Sequence, residues 1–250
     1  AYEAYNTAVN IAHEAGDMQR YGQTLIGMGE LATNPSDSEK HAWKIVDIAR
    51  DLNDQHLEAR GVLILSNAFI RKNDYDKAND ALSIALDLAK VSGDRLLESI
   101  VLGQQGLILV RNERTFQQGL EQQLTALNVA RGMEAIFHEF MRLHTIAMSA
   151  LSAQDPAEAR NYFDQMLALS QDVAHKPYEM YALGMLGHLH EANNKPDIAI
   201  SYYGQAADLA RAVMNPQYEA RYLYAIGTVY LSTQDFDLGR DYYNQAKDIY

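Results

Sequence analysis

A small residue recurs in the middle of one amphipathic segment after another: Gly29, Ser66, Gly106, Ala147, Gly187 and Gly227, at intervals of 37, 40, 41, 40 and 40. Four positions before each stands an apolar residue: Leu25, Val62, Leu102, Leu143, Leu183 and Leu223. A second column, Ala12, Ala49, Ala89, Ala130, Ser170 and Ala210, keeps the same step. Three columns in register restrict the chain to a repeat architecture, in which each unit buries its apolar face against its neighbours. The stretch from Ala220 to Tyr250 is the clearest copy, with two segments of helical period joined by Thr233-Gln234-Asp235-Phe236-Asp237.

Breakers repeat with the columns. Gly16-Asp17, Asn53-Asp54, Gly93-Asp94 and Gly132-Met133 separate one pair from the next, a helix stop followed by a helix start. Pro177 and Pro216 hold the equivalent starts later, where a missing N–H is harmless. Turns inside pairs carry Asn34-Pro35-Ser36-Asp37, Asn73-Asp74-Tyr75-Asp76, Gln154-Asp155-Pro156 and Lys195-Pro196-Asp197. No run alternates apolar and polar residues over strand length. The expectation is all-α: a half-repeat over 1–16, then six repeats starting near 17, 54, 94, 134, 176 and 215, in one domain spanning 1–250. Glycines inside helices cost about 1 kcal/mol each against alanine. Close helix packing accounts for them at Gly29, Gly106, Gly187 and Gly227.

Charge and residue usage exclude several functions. With 33 acidic against 21 basic residues, net −12, the chain lacks the field that nucleic acid or an anionic membrane requires. It has no cysteine, hence no thiol nucleophile or thiolate metal site. No apolar run reaches the roughly 20 residues of a membrane span, and no signal peptide stands at the start, so a cytoplasmic location is expected. The chain begins at Ala1 without Met and stops inside a helical pattern at Tyr250, as a fragment of a longer protein would. Histidine pairs have poor spacing for an ion: His188 and His190 face different ways, and His138 and His144 are six apart. His190 falls in the core column and is expected to be a buried, hydrogen-bonded ring. No metal, cofactor or catalytic residue is expected, and the chain is not expected to be an enzyme.

Twelve of the sixteen tyrosines lie beyond residue 150, so any aromatic surface belongs to the later repeats. In Tyr162-Phe163, Tyr202-Tyr203 and Tyr242-Tyr243, one ring is expected in the core and its neighbour on the outer wall. Trp43 is expected to pack.

On these residues the pattern resembles the tetratricopeptide repeat. Gly106, Gly187 and Gly227 match the small-residue column, Ala78, Ala159 and Ala199 the alanine of the second helix, and Tyr203-Ala206 and Tyr243-Ala246 the later aromatic and alanine positions. The period of about forty is similar to the longer variety of the repeat, found in kinesin light chains and in bacterial peptide sensors. Gln105 departs from the pattern at a position usually apolar.

The resemblance implies an α-α superhelix, a right-handed solenoid of helix-turn-helix repeats whose concave wall is made by the first helix of each pair. It places the ligand-facing residues at Arg60, Asn67, Arg71, Gln104, Arg111, His144, Met148, Tyr181, His188, Arg221 and Tyr224. Asn directly after the small residue is kept only at Asn67, so no ladder clamping an extended backbone is implied. The four arginines of this stripe oppose the charge of the chain. They are either a clamp for an acidic peptide or a C-terminal carboxylate, or solvated surface groups. Two roles follow: a non-enzymatic scaffold binding a protein or peptide segment, or a regulatory sensor that binds a small peptide or effector and controls an attached DNA-binding or signalling domain. Tyr242, Tyr243, Ile249 and Tyr250, expected to be uncovered, also suit a homodimer through array ends.

Overall fold

The computed structural model describes residues 2–249, with only the backbone of Tyr2; Tyr250, one of the residues expected to be uncovered, lies outside them. Thirteen α-helices follow one another: α1 (Tyr2–Glu14), α2 (Met18–Leu31), α3 (Pro35–Leu52), α4 (Gln55–Arg71), α5 (Tyr75–Ser92), α6 (Arg95–Leu109), α7 (Phe116–Gly132), α8 (Ile136–Ser152), α9 (Pro156–Asp172), α10 (Lys176–Ala192), α11 (Pro196–Ala212), α12 (Pro216–Ser232) and α13 (Phe236–Ile249). No strand occurs among the described residues. The fold is an all-α array of helix pairs.

The chain forms two compact units, Ala1–Glu139 and Phe140–Tyr250. In the first, each helix from α1 to α7 packs on the next, and α2 also packs on α4. Its cores gather Leu25, Ile45 and Ile64 in one cluster and Val62, Leu82 and Val101 in another. In the second, α9 to α13 pack consecutively around Leu183, Tyr203, Leu223 and Ile226.

Each repeating column has a physical job. Gly106 lets α6 lie on α7: a Cβ there would stand 2.7 Å from the carbonyl oxygen of Gly119, and one on Gly119 would stand 2.7 Å from the Val110 nitrogen. The alanine column ends the second helices. The carbonyls of Ala12, Ala49, Ala89, Ala130, Ser170 and Ala210 each accept an N–H from five residues on, at 2.8–3.0 Å, with the residue before that donor in the left-handed region. This is the backbone closure that satisfies the last carbonyls of a helix. Side chains at Asp17, Asp54, Asp94, His175 and Asn215 then cap the next helix.

Four expectations need correction. The left-handed residue after α7 is Glu134, not Gly132 or Met133, so glycine's freedom is not used at that junction. Trp43 is 46% exposed rather than packed; the α3 residues that enter the core are its neighbours Ala42, Ile45 and Val46. His190 is buried as expected, but neither ring nitrogen has a hydrogen-bond partner; the ring stacks on Tyr202 at 5.4 Å instead. Tyr242, Tyr243 and Ile249 are half-buried rather than uncovered, since the two rings stack on Tyr230 and Tyr224 of the preceding helix and Ile249 packs against the cluster around Leu223.

Candidate functional site

The residues expected to face a ligand are each half-buried or exposed, and all but Arg111 stand on the first helix of their pair. Arg60 and Asn67 stand on α4, Gln104 on α6, His144 and Met148 on α8, Tyr181 and His188 on α10, and Arg221 and Tyr224 on α12.

In the first unit the charges find partners within the protein. Arg60 Nη2 lies 3.4 Å from Glu30 Oε1, with both side chains about half exposed. Arg71 Nη1 donates to the Ala32 carbonyl at 2.6 Å, closing the C-terminal end of α2. Arg111 sits in the turn beyond α6, where the helical offset does not apply, and its guanidinium lies 4.7 Å over the Tyr75 ring. The Gln104 amide oxygen is buried without a hydrogen-bond partner among the described residues.

The second unit gathers an aromatic and basic surface. A groove of about 800 Å³ is lined by Gln217, Tyr218, Arg221, Tyr224, Tyr243 and Lys247, with Ala220 and Ala246 at its floor. Tyr224 stacks on Tyr243 at 4.7 Å, and the Arg221 guanidinium lies 6.0 Å from the Tyr218 ring. Among the described residues neither Arg221 nor Lys247 forms an ion pair and no carboxylate lines the groove.

Tyr218 also borders a second cavity of about 400 Å³, walled by Phe140, Met141, His144, Tyr178, Met180 and Tyr181 and closed by Pro177 and Asn215. Phe140 stacks on Tyr178 at 4.3 Å, and His144 Nε2 shares a hydrogen bond with the Tyr181 hydroxyl at 2.9 Å. Burial holds the His144 imidazole below its ordinary range and the Tyr181 phenol above its own, so both are neutral around pH 7. Further along, His188 and Glu191 approach to 3.8 Å, and Glu191 accepts from the Tyr203 hydroxyl at 2.7 Å. Burial pushes the Tyr222 phenol up to about 12; its hydroxyl donates to the Met180 carbonyl at 3.2 Å.

The structure thus brings His144 together with Tyr181 and Arg221 together with Tyr224. Sequence reasoning missed Phe140, Tyr178, Tyr218 and Lys247. A signal for two of them was present: Tyr178 and Tyr218 are forty apart, each nine positions before the small residue.

No group of three histidine or acidic side chains comes together at metal-binding distance among the described residues. No helix among them is long and apolar enough to cross a membrane.

A tetratricopeptide-repeat family model matches residues 139–212 and 178–250. No curated protein matches the chain by sequence. Among solved structures, BtubC (BKLC) from P. vanneervenii superposes with a TM-score of 0.70 at 17% identity, over 87% of this chain and 91% of that one. A Rap protein complexed with competence and sporulation factor gives 0.65 at 13%, over 93% and 74%. A signal transduction ATPase with a tetratricopeptide repeat sensor, from Pyrococcus horikoshii, gives 0.66 at 14%, over 97% of this chain and 40% of that one. Residues 139–250 therefore belong to the tetratricopeptide-repeat family, and the chain as a whole carries that family's fold of paired helices.

Proposed function

We propose that this tetratricopeptide-repeat chain is a non-catalytic interaction scaffold that binds a protein or peptide segment along the first helices of its second unit, with a ligand carboxylate held by Arg221 and Lys247. The observation carrying this is the pairing state of the cations. Arg60 and Arg71 have partners of their own, whereas Arg221 and Lys247 face one groove with no acid lining it among the described residues. In a chain of net charge −12 such a patch favours an anionic partner. The Rap and ATPase-sensor likenesses support a second use of the same groove, sensing an effector for an attached output domain.

The test is fluorescence anisotropy with a labelled acidic peptide, Gly-Ser-Phe-Gly-Glu-Glu, and its Gln-Gln counterpart. The acidic peptide is expected to bind more tightly, to weaken as salt rises, and to lose at least tenfold in affinity with Arg221→Glu/Lys247→Glu. Affinity unchanged by that double reversal would remove the proposal.

A further inference from the structure

We infer that the outward face of α5, in the first unit, is a docking stripe for an amphipathic helix of a partner protein, one whose apolar edge is flanked by lysine or arginine. The inference is separate from the groove of the second unit and does not rest on the role assigned to it.

A departure from the repeat pattern carries it. Five positions before the column Ala49, Ala89, Ala130, Ser170 and Ala210 stand Lys44, Ile84, Thr125, Gln165 and Gln205. Only α5 puts an apolar side chain there. Two positions after the column stand Asp51, Val91, Gly132, Asp172 and Ala212. Ile84 is 52% exposed and Val91 69%, so α5 keeps two branched apolar side chains in water where its counterparts carry polar or small residues. Covering them removes that surface from water.

The charges lie on the same line. Asp76, Asp80, Ile84, Asp87 and Val91 follow at steps of four, four, three and four, which is one stripe of a helix with 3.6 residues per turn. Leu88 borders the stripe and anchors it, half-buried against the cluster around Val62, Leu82 and Val101. The three aspartates are exposed and form no ion pair among the described residues, while Lys77 beside them is taken by Asp74 at 2.7 Å. From Asp76 to Val91 the line runs about 22 Å at about 1.5 Å per residue, the length of about four helical turns.

These features decide the occupant. The face of a helix offers no free backbone edge for a strand to join, so the ridge takes another helix, with apolar residues set against Ile84, Leu88 and Val91. The unpaired acids along the ridge call for cations on that helix. A second copy of this chain, at net −12, and an anionic membrane both bring the wrong sign.

The test titrates the whole chain into a labelled helical peptide, three copies of Leu-Lys-Ala-Leu-Lys-Lys-Ala in series, and reads fluorescence anisotropy. Ile84→Gln/Val91→Asp, which installs residues found at the same positions of other pairs, is expected to weaken binding about tenfold or more, with the circular dichroism spectrum unchanged. Val91→Asp adds an acid, so attraction by charge alone would strengthen binding instead. Asp80→Lys/Asp87→Lys is expected to weaken it by a similar factor, and a peptide with Glu for every Lys should not bind. In methyl NMR spectra of isoleucine- and valine-labelled protein, Ile84 and Val91 should shift with the lysine peptide. Three results overturn the inference: no binding of the lysine peptide, affinity unchanged or raised by Ile84→Gln/Val91→Asp, or sedimentation showing a dimer of the chain that this double variant dissolves.

Discussion

At the scale of single residues, the junctions show how loosely a backbone conformation can dictate its side chain. Gly16, Asn53, Gly93, Glu134, Ala174 and Met214 occupy equivalent left-handed positions. The first three read as helix stops because glycine and asparagine accept that region readily. Glu134, Ala174 and Met214 carry no such signal, and their strain is offset by the paired backbone bonds that close the helix: Met214 N–H to the Arg211 carbonyl and Asn215 N–H to the Ala210 carbonyl, at 3.1 and 2.9 Å. Met214 is 89% exposed, so its side chain contributes almost nothing by packing. Met214→Gly is therefore expected to stabilise the protein by about 1 kcal/mol, read as a rise in the thermal midpoint by circular dichroism; a fall would contradict the account. The same limit applies to the candidate site. Helical spacing placed Arg60 and Arg221 on the open face of their helices, but it says nothing of partners. Arg71 turned out to close α2, and Arg111 to stand on a turn, where the offset fails.

At the scale of helices, the pairs were legible because small and apolar residues keep step. A charged column with the same step was equally available and went unread: Glu58, Glu98, Glu139, Glu179 and Glu219. It forms a seam between the end of one pair and the start of the next. Arg50, Arg131 and Arg211 each donate through Nε to the glutamate eight residues on, at 2.7, 2.8 and 2.7 Å. Gln171 does the same toward Glu179 at 3.2 Å, while Glu98 takes Arg95 instead, at 2.9 Å. These glutamate side chains are only 11–16% exposed, so the seam is less screened than a surface pair. The arginines remain largely solvated, which keeps each pair modest. A double-mutant cycle at Arg211 and Glu219 should give a coupling of about 0.5–1 kcal/mol, and one at Arg160–Asp164, an exposed pair at 3.4 Å, about 0.3 kcal/mol. Equal couplings at the two sites would deny the seam a special part in stacking.

At the scale of the molecule, the repeat period announced six similar pairs, but not that the two units fill their space differently. The first unit closes α2 on α4 with aliphatic groups, Ile64 against Gly29 and Leu57 against Gly22. In the second, a tyrosine ring makes the equivalent contact, Tyr222 of α12 over Gly184 of α10, and rings also close the pairs, Tyr203 over Gly187 and Tyr243 over Gly227. The bias of tyrosine toward the second half hinted at this; which ring meets which glycine depends on side-chain directions that spacing does not encode. Among the described residues, the clusters around Leu25 and Val62 draw on the first unit and the cluster around Tyr203 on the second. In arrays whose stability is a sum of local and nearest-neighbour contributions, damage to one cluster should then stay local. Gly187→Val provides the test. A Cβ there would meet the Tyr203 ring at 2.6 Å, and Tyr203 is 1% exposed and without room to retreat, so overpacking should cost about 1–3 kcal/mol. Native-state hydrogen exchange is expected to quicken for amides of α10 to α12, while those of α3 and α4 keep their protection. Uniform acceleration across both units would instead mean that the chain unfolds as one cooperative body.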